Sequence, residues 1–278
     1  MTTITVPDEL NSDNALPIEV IDYEIDQGII KQEVILNKNT FSFLQRGTKE
    51  VFFDNSTCAI DKSKFLLMKS GHCLMTETCS DAQKSYRSVL LFFSNEAIND
   101  FIKKYDLKPS SSSSSNSTRS FEYDAFIERF VESILDISRF SKSTQRNILS
   151  AKFEEIMLYL IEFKGVDFLN SLISDEPDHD QKFRQTIESN KLNRLTVKEL
   201  AFLANMSVST FKREFEKQFH ISPSKWFQNK RLEHAAYLLT HGKRPSEIYE
   251  EVGYETLSNF IVAFKLKHGL TPKQYQTG

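Results

Sequence analysis

The apolar positions of this 278-residue chain change their period along its length. From residue 18 to residue 93 they form short runs rich in β-branched and aromatic residues, at 18–25, 29–36, 41–44, 50–53, 65–68 and 86–93. Gly28, Gly47, Gly71 and clusters of Asp and Asn separate these runs. Runs of this kind between turn residues predict strands, and strands this closely spaced predict a small barrel or sandwich. Ser94, with Glu96 two residues on, predicts the capped start of a helix reaching Tyr105. Residues 109–118 are almost pure serine and predict a loop that buries nothing. From Phe121 the period is helical: Phe126, Phe130 and Ile134 share a face with Ile127 and Val131 beside them. A second helix over about 144–163 carries Phe153, Met157, Leu160 and Ile161. Adjacent amphipathic helices of this length pack as a hairpin or pair across a dimer interface.

Near the C-terminus one pattern occurs twice. Phe211, Phe215 and Pro223 recur as Phe260, Phe264 and Pro272, each 49 residues later. Phenylalanines four apart lie on one face of a helix, and the proline opens the next element. A shorter helix precedes each copy, over 196–204 and 245–252. Helix, tight turn, helix, twice over, is a tandem helix-turn-helix. Ser207 and Thr256 are placed to cap the second helix of each unit, and Gly253 suits a left-handed turn position. Val208 is expected to bury with Phe211 and Phe215 against the first helix. The outer face then carries Ser209, Thr210, Lys212, Arg213 and Glu216. Short polar and cationic side chains at the start of a recognition helix suit base edges and phosphates. A helix over 223–239 joins the units, with Trp226 expected in packing and Lys225, Lys230 and Arg231 available to phosphates.

The net charge of −3 hides a split. Residues 180–278 hold 16 Lys and Arg against 10 Asp and Glu, a net of +6, and the remaining 179 residues hold 19 against 28, a net of −9. A polyanion is drawn to one half and repelled by the other. No run of 18 apolar residues predicts a membrane span. The first residues lack the basic and apolar regions of a signal peptide. Three cysteines, Cys58, Cys73 and Cys79, fit a reducing cytoplasm better than a disulfide scaffold.

Catalytic and metal chemistry find no foothold. A metal-dependent barrel needs two or three histidines and a carboxylate on one ion. The strand region offers His72 alone, and in a strand His72 and Cys73 point to opposite faces. No Gly-rich phosphate loop or nucleophile elbow is present. No catalytic residue, metal or cofactor is expected.

Residues 181–275 resemble the two-unit DNA-binding domain of the AraC/XylS family of bacterial transcription regulators. The most specific stretch is Glu247-Ile248-Tyr-Glu-Glu-Val252-Gly253-Tyr254, followed by Ser258-Asn-Phe260, Phe264-Lys265 and Gly269-Leu-Thr-Pro272-x-x-Tyr275. The resemblance implies recognition helices entering successive major-groove segments on one side of the DNA. By position it makes Ser209, Lys212 and Arg213 contacts of the first helix, and Leu257, Ser258, Ile261 and Val262 contacts of the second. Asn259 and Lys265 are the other polar residues of that second face. Two departures stand out: Tyr249 where the family usually has alanine, and apolar Ile261 and Val262 in place of polar readers. In the N-terminal half, Phe43-Leu44-x-Arg46-Gly47 and Phe65-Leu-Leu-Met68-x-x-Gly71 resemble the subgroup that includes activators of type III secretion, in which a partner protein controls the activator.

The expected architecture is α+β. A cupin-like β-barrel over about 18–93 with flanking helices forms an effector and dimerisation domain over 1–173, with helices over 121–173. A linker follows at 174–180, then an all-α domain over 181–278 of two helix-turn-helix units joined by a long helix. The expected function is a cytoplasmic, promoter-binding transcription regulator, an activator, working as a homodimer with RNA polymerase as partner. A small molecule or a regulatory protein would control it at the N-terminal domain. The alternative is a protein-docking module with degenerate DNA binding.

Overall fold

The computed structural model describes residues 3–10, 16–109, 117–173 and 179–277. Most of the serine-rich loop and of the expected linker lie outside these residues. The contacts divide the chain into two compact units, Met1–Phe183 and Arg184–Gly278.

Ten strands are described in the first unit: β1 (Ile4–Val6), β2 (Ile18–Ile25), β3 (Ile29–Leu36), β4 (Asn39–Arg46), β5 (Thr48–Phe52), β6 (Thr57–Ile60), β7 (Lys64–Met68), β8 (Gly71–Thr78), β9 (Tyr86–Phe93) and β10 (Thr118–Glu122). They pair into two sheets of five, in the orders β1-β3-β8-β5-β6 and β10-β7-β4-β9-β2. The expected closed barrel is therefore two separate sheets, an arrangement compatible with a cupin-like fold. Helices α1 (Asn95–Lys104), α2 (Ala125–Leu135), α3 (Lys142–Lys164) and α4 (Asn170–Ile173) complete the unit.

The second sheet is buried on both faces. Leu44, Leu66, Met68, Leu90 and Phe92 meet Val34, Val51, Cys73 and Met75 of the first sheet. On the opposite face Phe41, Phe43, Phe65, Val89, Leu91 and Phe93 meet Phe101, Ile127, Phe130, Phe153 and Met157 of the helices. Alternate residues of one strand point to opposite faces, so β4 and β9 need apolar or small side chains at nearly every position. Register places Phe121 opposite Phe65 and Phe65 opposite Phe43. Their rings follow at 5.2 and 5.1 Å between centroids, and Phe43 continues to Phe130 of α2 at 5.7 Å. A second line runs from Phe41 through Phe93 to Phe153 of α3.

Several expectations are corrected. Phe121 belongs to strand β10, and the helical period begins at Ala125, capped by the Asp124 carboxylate accepting from the amides of Phe126 and Ile127. The short strands β1 and β6, and the eight-residue β8, were not expected. In β8 the sequence Gly-His-Cys-Leu-Met-Thr-Glu-Thr lacks the β-branched run that marks a strand, and its pairing to β3 and β5 decides its conformation. Ser94 caps α1 as expected, accepting from the Ala97 amide. Cys73 is buried, which pushes its thiol pKa far up, and all three cysteines are free. Among the described residues, no three of His, Cys, Asp and Glu gather where they could hold a metal ion.

One ion pair lies between the sheets. Lys49 of β5 and Glu77 of β8 sit opposite each other in register, at 2.9 Å, with side chains 2 % and 3 % exposed. A buried pair of this kind adds little over an apolar replacement, but a lone buried charge is costly. Glu77→Gln should therefore lower stability by about 3–5 kcal/mol. The double variant Lys49→Met, Glu77→Leu should recover most of the loss, as read from urea unfolding of the full chain.

Candidate nucleic-acid interface

The second unit begins within α5 (His179–Ser189) and continues through α6 (Val197–Leu203), α7 (Val208–Phe219), α8 (Pro223–Thr240), α9 (Pro245–Ile248), α10 (Leu257–His268) and α11 (Pro272–Thr277). Helix α6 starts at a capping box. The Thr196 hydroxyl accepts from the Glu199 amide, and the Glu199 carboxylate accepts from the Thr196 amide. The chain turns with Asn205 in the left-handed region, and Ser207 then caps α7 by accepting from the Thr210 amide at 3.2 Å. In the second unit Gly253 takes φ +88° at the turn, and Thr256 caps α10 by accepting from the Asn259 amide at 3.2 Å. Here the first helix is a single turn, Pro245–Ile248, shorter than the expected 245–252, and Tyr249 sits at its C-cap.

Both recognition helices are twelve residues long and are anchored by their phenylalanine pairs. Phe211 and Phe215 are buried, and Phe215 extends to Phe219, Trp226 and Phe227. Trp226 packs edge-on to Phe215, Phe219 and Phe227, so it belongs to the joint between α7 and α8. Phe260 and Phe264 are buried with Leu232, Ala235, Leu239, Ile248 and Val252. Tyr254 and Tyr275 close the two ends of that cluster. Val208, expected in the core, is exposed at the first position of α7.

With these faces fixed, Ser209, Lys212, Arg213 and Glu216 are exposed, and Thr210 is half-buried. The Ser209 and Thr210 hydroxyls approach the capping Ser207 hydroxyl at 3.0 and 2.8 Å. On α10, Ser258, Asn259 and Lys265 are exposed, Ile261 is half-buried and Val262 is 60 % exposed. One turn beyond Val262 stands Leu266, 83 % exposed, which the sequence reading did not single out. On α8 the three cations part company. Lys225 is exposed, and Lys230 reaches Glu233 at 3.2 Å and lies over the Trp226 ring. Arg231 is half-buried beneath Gly253. Lys267 of α10 donates to the Asn229 carbonyl at 2.8 Å and to Glu233 at 2.9 Å, which ties α10 to α8. These bonds hold the Glu233 carboxyl below its ordinary pKa, with Lys267 the larger cause.

Two parts of the chain match known families. The family model "ExsA N-terminal regulatory domain" matches residues 39–171, and the model "Helix-turn-helix domain" matches residues 200–278. The thermoregulatory protein LcrF of Yersinia pestis is 29 % identical over 127 residues, 44 % of this chain and 46 % of LcrF. The transcriptional regulator ExsA of Pseudomonas aeruginosa is 25 % identical over 129 residues, 46 % of each chain. The transcriptional regulator RipA of Corynebacterium glutamicum is 32 % identical over 94 residues, 34 % of this chain and 28 % of RipA. The chain spans less than half the length of these curated relatives. Residues 39–171 are thus similar to an N-terminal regulatory domain of the ExsA type and residues 200–278 to a helix-turn-helix domain of the AraC type, domains found in transcription regulators.

The caps are the local features that hold the recognition helices in place. Ser207→Ala and Thr256→Ala should each cost about 1 kcal/mol of stability, read from the unfolding midpoint, and the corresponding Gly variants only a few tenths.

Proposed function

We propose that the chain is a sequence-specific transcription activator that binds double-stranded promoter DNA through α7 and α10. The observation that carries this reading is the pairing on each helix of a buried phenylalanine face with an exposed outer face near the helix start. In this reading Ser209, Thr210, Lys212 and Arg213 meet the first major-groove segment. Ser258, Asn259, Ile261, Val262 and Lys265 meet the second. Lys225, Lys230 and Arg231 serve phosphates, with Lys230 first having to leave Glu233. The +6 balance of residues 180–278 supports the same partner.

The N-terminal unit is the regulatory half in this proposal, controlled by a small molecule or a regulatory protein. The ExsA-type match over residues 39–171 supports this assignment. Homodimerisation is assigned to α2 and α3, supported by Leu158 and Phe163, which are exposed on α3, Phe163 at 65 %. RNA polymerase is the partner an activator requires, and the reading puts the protein in the cytoplasm with its promoter DNA. A second reading, a protein-docking module with degenerate DNA binding, is favoured by one observation: the exposed Val262 and Leu266 on the helix that should read bases.

Electrophoretic shifts of promoter fragments over a salt series separate the two. Specific, salt-dependent retention supports the activator, and its absence at every salt concentration sinks it. On a bound fragment, loss of a base-contacting Arg213 in Arg213→Ala should cost about 1–3 kcal/mol of discrimination. Lys212→Ala, if it serves a phosphate, should weaken all sequences alike and lower the salt slope by about one unit.

Ile261 and Val262 give a separate test. Apolar side chains in the major groove contact thymine methyl groups, so the half-site under α10 should be rich in A·T pairs. The Ile261→Ser, Val262→Ser variant should keep its fold and lose that preference. Unchanged base preference with a large drop in thermal stability would place both residues in the core instead.

A further inference from the structure

A groove of about 410 Å³ lies between α1 and α3 in the N-terminal unit. That volume falls within the span of roughly 300–1,000 Å³ of small-molecule sites. Its two ends differ in how their charges are paired. At the end of α1 the Lys104 ammonium donates to both carboxylate oxygens of Glu154 at 2.7 Å, and the Tyr105 hydroxyl donates to the same carboxylate at 2.9 Å. The two helices are bridged there. Phe101 and Phe153, whose rings meet edge to face at 6.0 Å, form the base beside Ile18, and all three are buried.

Toward the starts of the helices the groove is open and its charges stand apart. Helix α1 contributes the carboxylates of Glu96 and Asp100, four residues apart and so on one face. Helix α3 contributes the guanidinium of Arg146, with Asn147 and Ser150 on the same stripe. All five side chains are exposed. Opposite charges line one groove here, yet among the described residues no ion pair or hydrogen bond joins Glu96 or Asp100 to Arg146, while Lys104 and Glu154 close the gap at the other end. A guanidinium presents paired donors that match a carboxylate, and carboxylates accept from an ammonium.

We infer that this groove binds a small zwitterion with an apolar body, the chemistry shared by an apolar amino acid and a dipeptide of such residues. The ammonium sits against Glu96 and Asp100. The carboxylate takes the paired donors of Arg146, with the Asn147 amide and the Ser150 hydroxyl beside it. The apolar body rests on the base of Ile18, Phe101 and Phe153. A singly charged molecule leaves one wall of the groove without its counter-charge, and an uncharged one leaves both. The inference rests on the reading of the N-terminal unit as the regulatory half and names a ligand class for it. Its route to regulation is α3. The ligand spans α1 and α3 at the end where no side chain bridges them, and α3 carries the exposed Leu158 and Phe163 assigned to dimerisation.

The test is titration calorimetry of the full chain with L-phenylalanine and with L-leucyl-L-phenylalanine. The amidated and the N-acetylated form of each probe are the singly charged controls. At least one zwitterion should bind, and its two controls should bind about tenfold or more weakly, the loss expected for one set of charge-assisted hydrogen bonds. The tighter of the two zwitterions identifies the source as free amino acid or peptide. Arg146→Gln should weaken the zwitterion by the same factor and leave the amidated form unaffected. The double variant Glu96→Gln, Asp100→Asn should weaken it likewise and leave the N-acetylated form unaffected. Neither variant should lower the unfolding midpoint by more than a degree or two, because the three side chains are exposed and unpaired. Binding of neither zwitterion, equal binding of zwitterion and controls, or binding unchanged in both variants overturns the site and leaves the regulatory reading standing, since that reading also admits a regulatory protein. Zwitterion binding that leaves dimerisation unchanged, as read by sedimentation, supports the site and overturns its route to regulation through α3.

Discussion

A twelve-residue helix can offer its outer edge to a partner only while its inner edge is locked, and in both recognition helices the lock is a pair of phenylalanine rings one turn apart. Phe211 with Phe215, and Phe260 with Phe264, are wholly buried. Because residues four apart share a face, burying these rings fixes the rotation of each helix and thereby its exposed set. The left-handed caps at His220 and Gly269 then end each helix one turn past the second ring, and Pro223 and Pro272 start the next. Helix α8 contributes to both locks, with Trp226 and Phe227 at one end and Leu232, Ala235 and Leu239 further along. The Lys267 bonds to Asn229 and Glu233 hold the second unit on that helix.

The N-terminal unit uses aromatic packing on a larger scale. Its second sheet lies between another sheet and a layer of helices, so β4 and β9 are buried on both faces. Stacked rings carry the contact across the sheet to α2 and α3. The inner face cannot be wholly apolar, since Lys49 and Glu77 meet there, and the Ser42 and Ser88 hydroxyls bond each other at 2.8 Å. A buried polar group is tolerated where a partner meets it: Lys49 and Glu77 stand directly opposite in register, and Ser42 and Ser88, opposite Leu90 and Leu44, meet diagonally.

Much of this was legible in the sequence, for reasons specific to each element. Strands β2, β3 and β9 were visible because eight β-branched or aromatic-rich residues lie between turn signals. The doubled Phe-x-x-x-Phe spacing revealed both recognition helices, and with them the exposed positions Lys212 and Arg213. Other elements were hidden. Strand β8 carries a mixed sequence whose conformation comes from pairing on both sides. Strand β10 merges in sequence with the helical run that follows, and only its ladder to β7 separates them. Arg231 reads as one more surface cation on α8, yet it is half-buried against a glycine 22 residues away.

The sequence alone determined the periodic features: two helix-turn-helix units, their caps, the strand-rich first half and the charge split. Each follows from local propensity or from side-chain spacing, which one chain segment settles by itself. Tertiary structure decided what depends on segments distant in sequence. It split the strands into two sheets rather than one ring, and it left Val262 and Leu266 facing outward. It also brought the Arg231 and Arg194 side chains against Gly253. No local pattern encodes that convergence, because the residues that meet belong to different elements and only the packing of α8 against the turn before α10 places them together.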